Sequence, residues 1–305
     1  MLIVLLQAVL SGAASGAVYA LMALGFSITF TTTRTLNFSH GEFLSTGAFI
    51  YVASLVLMSG GTNLSLPSVE ATAWQEMIGI GLVIVLMTAI GFLLYLAGIR
   101  PFVGKPGLAW VVSTLGFGII LQSIMLALWG PGSVIVPAPV GDDLTDIFGA
   151  MIRRQELLVL VASIAIFLIV DVVMRRSLIG KVMRAVALNP SVASLMGIGV
   201  TSVMMWSFAV SSALAGLSGV LIAPIASASA YLGLAFGMKG FSAAIVGGLT
   251  SPRGCILGGF AIGILESVVN LWDASWKEVV IFALVIMVLV VRPSGLLGQV
   301  VVEKT

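Results

Sequence analysis

Apolar residues dominate this chain in long uninterrupted runs, and polar residues gather in the short stretches between them. A helix rises 1.5 Å per residue, so about 20 mainly apolar residues cover the ~30 Å hydrocarbon core of a bilayer. Runs of that order fall at 3–30, 38–58, 77–99, 107–128, 156–174, 201–223, 233–250, 254–272 and 278–291. The last is short and the seventh contains Lys239, so the pattern predicts eight or nine transmembrane helices. The runs are continuous, without period-2 alternation, which favours helices over a membrane barrel. The expected fold class is all-α, a polytopic membrane helical bundle with residues 1–305 as a single transmembrane domain.

Composition narrows the function classes. The hydrophobic set is 60% of the 305 residues and charged residues are 9%, with a mean hydropathy of +1.20. A charged fraction this far below the usual ~25% excludes a soluble globular enzyme, a disordered chain and a disulfide-stapled secreted domain. The lone Cys255 cannot form an internal disulfide, and its apolar surroundings mark it as small packing. No basic patch is dense enough to track phosphates of a nucleic acid.

The few basic residues set the orientation instead. With the N-terminus outside, the inside segments hold Arg34, Arg100, Lys105, Arg175, Arg176, Lys181, Arg184, Arg253, Arg292 and Lys304. The outside segments hold Arg153, Arg154 and Lys277, the first two in the longest loop beside Asp142, Asp143 and Asp146. This bias predicts a cytoplasmic C-terminus. The first run has no Lys or Arg before it and continues past residue 20, so a cleaved signal peptide is not expected.

Small residues recur at helix-contact spacing: Gly12, Gly16 and Ala20; Gly233 and Gly237; Gly254 and Gly258; Gly259 and Gly263. Lipid supplies no hydrophobic drive for helix association, so close backbone approach at such stripes takes its place. Tight packing is the reading for most of these glycines; a second reading is that Gly247, Gly248 and Pro252 break a helix near the cytoplasmic face, where freed backbone groups could line a cavity.

Polar groups inside the runs are the candidates for function. Ser39-His40-Gly41-Glu42 opens the second run, where Ser39 and Glu42 have capping-box spacing. The alternative is that Asn37, His40 and Glu42, with Ser45 and Thr46 a turn further in, meet a solute crossing the bundle, because ionisable groups in a membrane face a cavity or a partner. Lys239 and Glu266 lie on different runs and are expected to pair, with substrate contact as the alternative. Gln122 and Asn270 read as interhelical hydrogen-bonding groups.

Segment 175–200 is the most informative. It carries four basic residues, and Asn189-Pro190 reads as N-cap and N1 of a short helix that stops at Gly197. Val192, Leu195 and Met196 share one face of it and are expected to dock against a partner, or else lie on the lipid surface. No GxxxxGK[ST], HExxH or GxSxG motif occurs, and there is one histidine. ATP binding by a P-loop, zinc-protease chemistry and serine-triad chemistry therefore have no residues to rest on.

Four stretches carry a resemblance: 36–43, Leu-Asn-Phe-Ser-His-Gly-Glu-Phe; 180–198, ending Ala193-Ser194-Leu195-Met196-Gly197-Ile198; 237–248 with Gly258-Gly259; and 292–298, Arg-Pro-Ser-Gly-Leu-Leu-Gly. On these the chain resembles, nearly end to end, the Liv-type permease subunits of ATP-binding-cassette importers for branched-chain amino acids, in a larger family that includes urea, simple amide and ribose permeases. The resemblance implies an inner-membrane permease working by alternating access, not an enzyme. It implies a second permease chain, two cytoplasmic ATPase subunits that hold the ATP and magnesium, and a periplasmic or extracellular solute-binding protein. No cofactor or metal is expected on this chain. The resemblance makes 184–197 the coupling segment, with Arg184, Asn189, Pro190, Val192, Leu195, Met196 and Gly197 as its contact residues. Liv permeases tend to carry acidic residues just before Ala-Ser-Leu, where this chain has Leu188, Asn189 and Pro190. Urea, a short amide or another small carboxylate is the alternative cargo. A solitary secondary transporter would have only Glu42 and Glu266 as coupling carboxylates.

Overall fold

The computed structural model describes residues 1–60, 72–103, 107–141, 143–147 and 149–298. Lys105, Asp142 and Lys304, used in the charge argument, lie outside the described residues. Among the described residues eleven α-helices follow one another: α1 Leu2–Thr33, α2 His40–Met58, α3 Ala73–Leu94, α4 Ala109–Trp129, α5 Arg154–Arg176, α6 Leu178–Leu188, α7 Pro190–Leu195, α8 Val200–Ala226, α9 Leu232–Gly247, α10 Pro252–Asn270 and α11 Lys277–Val291. A wide turn over Tyr95–Ile99 extends α3 to Phe102. Among the described residues, eight helices are long and apolar enough to cross a membrane. The expected span that falls short is the seventh, α9, whose 16 residues reach only about 24 Å. The protein is a multi-pass helical membrane protein.

The longest loop holds a feature the apolar pattern did not predict. Leu144–Ile147 and Ala150–Arg153 form an antiparallel hairpin, β1 and β2. It leads directly into α5, and Arg154 pairs with Asp143 at 3.0 Å. This hairpin marks one end of the bundle, and α6 and α7 mark the other.

Helix contacts explain the small-residue stripes. Gly12 and Gly16 of α1 face Gly259 and Gly263 of α10, so two stripes read separately pack on each other. A Cβ on Gly16 would lie 2.9 Å from the Gly259 carbonyl oxygen, closer than real side chains come. Gly254 and Gly258 abut Gly247 and Ala243, which joins α10 to α9. Gly233 and Gly237 face Gly41 of α2.

The neighbour relations repeat. α1 lies along α10 as α8 lies along α3; α1 touches α9 as α8 touches α2; α9 packs on α10 and α11 as α2 packs on α3 and α4. The helices α1–α4 therefore correspond to α8–α11. With α5 crossing between the sets, the two run in opposite senses, an inverted-topology repeat. The Gly41–Gly237 contact is matched by the Ser45–Gly233 contact, which places the pseudo-two-fold axis where α2 meets α9.

The loop at the break after Gly247 does border a cavity, through Thr250, Ser251 and Pro252, but the carbonyls freed at the helix end itself are taken up elsewhere. Gly248 has φ +102°, and the chain end folds back on it: the N–H groups of Leu296 and Leu297 donate to the carbonyls of Val246 and Gly247 at 2.8 and 3.0 Å. The C-terminal strap consumes the acceptors that the helix end frees. Cys255 is buried beneath this turn, in keeping with a packing role.

Candidate functional site

The segment between α1 and α2 positions the first cluster. Arg34 ends α1 with φ +56°, its N–H bonded to the Phe30 carbonyl. The chain then turns back, so that His40, the first residue of α2, lies beside Met22 and Gly25 of α1. Gly25 is eight residues from the end of α1, about 12 Å inside it. Thus α2 begins within the bundle rather than at its surface.

Asn37 makes the entry turn. Its Oδ1 accepts from the Ser39 N–H at 3.1 Å and the Ser39 hydroxyl at 2.6 Å. This corrects the capping-box expectation: the Ser39 hydroxyl is committed backwards to Asn37, and no Ser39–Glu42 exchange forms. A polar side chain two residues upstream competes successfully for the hydroxyl. The Glu42 side chain lies against Gly118 of α4 instead. Its Oε2 is buried without a hydrogen-bond partner among the described residues, as is Nδ2 of Asn37. One orphan acceptor and one orphan donor thus stand at the same helix entrance.

His40 is fully buried and joins three helices. Its Nε2 lies 3.2 Å from the Met22 carbonyl, which can only accept, so Nε2 donates. The Ser211 hydroxyl of α8 donates to the Gly25 carbonyl at 3.0 Å and lies 3.4 Å from Nδ1, so its single proton serves two acceptors, the carbonyl the nearer. Phe26 packs on the ring at 4.4 Å between centroids. Ser45 serves the other repeat: its Oγ accepts from the Gly233 N–H at 2.6 Å, a cap supplied to α9 by α2. Thr46 returns its hydroxyl to the Glu42 carbonyl at 2.7 Å. Of the predicted cluster, then, His40, Ser45 and Thr46 are held by packing and hydrogen bonds, whereas Asn37 and Glu42 keep unused polar atoms.

Lys239 and Glu266 do pair, at 2.6 Å, and both are nearly buried. Glu278, from the first turn of α11, stands 3.4 Å from the same ammonium. The Tyr19 hydroxyl donates to the other Glu266 oxygen at 2.7 Å, and Lys239 lies over the Tyr19 ring. The cluster links α1, α9, α10 and α11 and holds one cation against two carboxylates. Tyr19 and Glu278 were not singled out from sequence: a tyrosine in an apolar run and a glutamate at a helix start carry no special signal there. Gln122 bonds not another helix but the turn between α8 and α9, its Nε2 donating to the Ala230 carbonyl at 3.3 Å, and Asn270, exposed at the end of α10, makes no side-chain hydrogen bond among the described residues.

The segment 175–200 forms two helices rather than one. The sequence reading did not foresee α6, although Gly180, Met183 and Val186 repeat at helical spacing and are its buried residues. Asn189 caps α7 as expected, its Oδ1 accepting from the Val192 N–H at 3.1 Å, and Pro190 is N1. Gly197 takes φ +82° after the helix end. Ala193 is the buried residue of α7, while Val192, Leu195 and Met196 are exposed, Leu195 at 88%. Arg184 of α6 bonds the Met174 carbonyl, and Arg34 bonds the Ala187 carbonyl at 3.3 Å, tying the α6–α7 unit to α5 and α1.

Comparison with known proteins places this architecture. Residues 8–289 match the family described as branched-chain amino acid transport system / permease component. The chain is 31% identical, over 98% of its length and 97% of the relative's, to the high-affinity branched-chain amino acid transport system permease protein LivH of Escherichia coli K12. It is 27% identical, with the same coverage, to the BraD permease protein of the corresponding system of Pseudomonas aeruginosa. The ribose import permease protein RbsC of Haemophilus influenzae is 27% identical over 83% of the chain and 78% of that protein. No solved structure matches the chain.

Proposed function

The chain belongs to the permease-component family of branched-chain amino acid transport systems, and from that premise we propose that it is an inner-membrane permease subunit of an ATP-binding-cassette importer for branched-chain or related amino acids. The observation that carries the reading is the near full-length match to LivH and BraD in a chain whose helices repeat in inverted topology. Inverted repeats suit alternating access, because one set can rock against the other about a shared axis.

In this reading residues 1–305 form one transmembrane permease domain that pairs with a second permease chain. A solute-binding protein delivers the amino acid at the hairpin end. Two ATPase subunits bind ATP and magnesium and dock at the α7 end, where the exposed Val192, Leu195 and Met196 offer them an apolar face. The α7 end and the C-terminus are cytoplasmic, in line with the bias of basic residues. Asn37 and Glu42 meet the solute: an amino acid leaving water must exchange its hydration for protein groups, or its desolvation costs several kcal/mol. Their unpaired atoms, a donor and an acceptor, are suited to that exchange.

The test is uptake of labelled leucine, isoleucine and valine by proteoliposomes holding this chain with the permease, ATPases and binding protein encoded beside it. ATP-dependent uptake that unlabelled leucine competes away and ribose does not is the expected result. Competition by urea or ribose alone overturns the substrate class. Uptake by this chain without an ATPase overturns the importer reading.

A further inference from the structure

Four guanidinium groups converge at the α7 end of the bundle on a cavity of about 440 Å³ between α1, α5, α6 and α10. They are Arg34, Arg175, Arg184 and Arg253, and the single carboxylate among the lining residues is Asp171. Asp171 is already shared: Arg253 holds it through two bonds of 2.9 Å, and Arg175 lies 3.2 Å away. Arg34 and Arg184 each spend one N–H on a backbone carbonyl and have no carboxylate partner among the described residues. A guanidinium carries five N–H donors, so both retain most of theirs. The site has a formal excess of three positive charges at the edge of a low-dielectric slab, where uncompensated like charge is costly.

The same cavity is greasy in its depth. Leu24, Phe167, Val170 and Ile256 line it. A second cavity of about 660 Å³, lined by Val173, Ile179, Met183 and Trp206 among others, shares Val170 and Met174 with it as a common wall. Both are bordered by α5, whose outer residues Ile164, Leu168 and Ile169 are exposed apolar groups that lipid covers favourably. A soluble anion would satisfy the arginines and leave this apolar depth unfilled.

We propose that this cavity is a binding site for an anionic phospholipid of the surrounding bilayer, with the phosphate on Arg34 and Arg184 and an acyl chain against Leu24, Phe167 and Ile256. Arginine forks match phosphate oxygens bidentately, and basic recesses between membrane helices suit anionic headgroups. The bound lipid would bridge α1, α5, α6 and α10, and so brace α6, the helix that carries α7. The inference does not depend on the cargo or on which leaflet the α7 end occupies.

The experiment is native mass spectrometry of the full chain, purified with any subunits that accompany it. It is titrated with phosphatidylglycerol, phosphatidylcholine and water-soluble glycerol phosphate. Phosphatidylglycerol is expected to bind at least about tenfold more tightly than phosphatidylcholine, and Arg34→Gln with Arg184→Gln is expected to abolish most of that preference. Arg153→Gln with Arg154→Gln removes equal charge at the hairpin end and is expected to leave it intact. Ile256→Trp narrows the apolar depth without touching a charge and is expected to weaken phosphatidylglycerol alone; it also keeps the test decisive if the double arginine variant does not fold. Equal binding of the two lipids overturns the proposal, as does equal loss in the hairpin-end variant. Competition by glycerol phosphate at lipid-like concentrations overturns it in favour of a soluble phosphate site.

Discussion

Gly41 and Gly233 meet backbone to backbone at the point where α2 and α9 both begin. A Cβ on either would run into the carbonyl of the other. The contact lies on the axis relating the two repeats, so a side chain there pushes both halves apart at once. Gly41→Val should lower the midpoint of thermal unfolding in detergent by several degrees, in line with overpacking costs of about 1–3 kcal/mol or more. Gly116→Ala on α4 is the control, since a Cβ there meets no atom within 4 Å and alanine favours helix. Equal behaviour of the two variants would show that the α2–α9 contact is loose.

The Lys239 cluster predicts an asymmetry between its members. Lys239→Met leaves Glu266 and Glu278 facing each other without a cation. Removing one partner of a buried pair costs about 3–5 kcal/mol because the remaining charge is stranded. Tyr19→Phe removes one hydrogen bond to Glu266 and should cost about 1–3 kcal/mol. Adding Glu266→Gln to Lys239→Met should recover part of the loss. Denaturation of the two single variants and the double variant measures this, and a double variant less stable than Lys239→Met excludes stranding as the cause.

What was legible in the sequence was local. Asn189-Pro190 and Gly197 specify the start and stop of α7 through chain chemistry that needs no distant partner. The glycine stripes were legible as faces, because backbone approach requires small residues whatever lies opposite. Their pairing was not, since nothing in Gly12-x-x-x-Gly16 names Gly259 and Gly263. Ser39 and Glu42 misled for the same reason in reverse: the spacing fits a capping box, but Asn37 takes the hydroxyl first. The inverted repeat was hidden because its halves share geometry rather than residues. His40 occupies in α2 the place that Leu232 occupies in α9. The return of Leu296 and Leu297 to the end of α9 depends on a contact across some fifty residues of chain, which no periodicity reports.

Orientation can be tested without a transport assay. A reporter fused after Thr305 should be active in the cytoplasm, and one inserted beside Asp143 in the hairpin loop should be active only outside it. Alkaline phosphatase and a fluorescent protein at each position read the two sides. Phosphatase activity at Thr305 would reverse the orientation and move the proposed ATPase face to the wrong side of the membrane.

The apolar face of α7 predicts a partner-dependent defect. Leu195 is exposed in the isolated chain, so Leu195→Asp should leave insertion and thermal stability within about 0.5 kcal/mol of the parent. In a docked interface the new carboxylate is buried without a partner, which is costly. The chain should therefore purify normally but fail to retain its ATPases and lose ATP-dependent uptake. Normal ATPase retention by Leu195→Asp would remove α7 from the docking surface.

Glu42 carries the sharpest question about the translocation route. A capping role is gone, since Ser39 turns to Asn37 and Glu42 leans toward Gly118 on α4. Its Oε2 is buried without a partner, a condition that costs free energy and persists only where something else requires it. Glu42→Gln keeps the shape and removes the charge that burial makes costly. If the residue is only a packing element, the variant should be as stable as the parent or slightly more so, and should transport normally. If the carboxylate meets the solute, stability should hold while uptake falls several-fold, with Asn37→Ala reducing uptake in the same direction. Thermal unfolding and uptake by Glu42→Gln in the assembled transporter separate the two. Parental uptake at unchanged or improved stability would take Glu42 off the route and leave Asn37 as the remaining candidate at the α2 entrance.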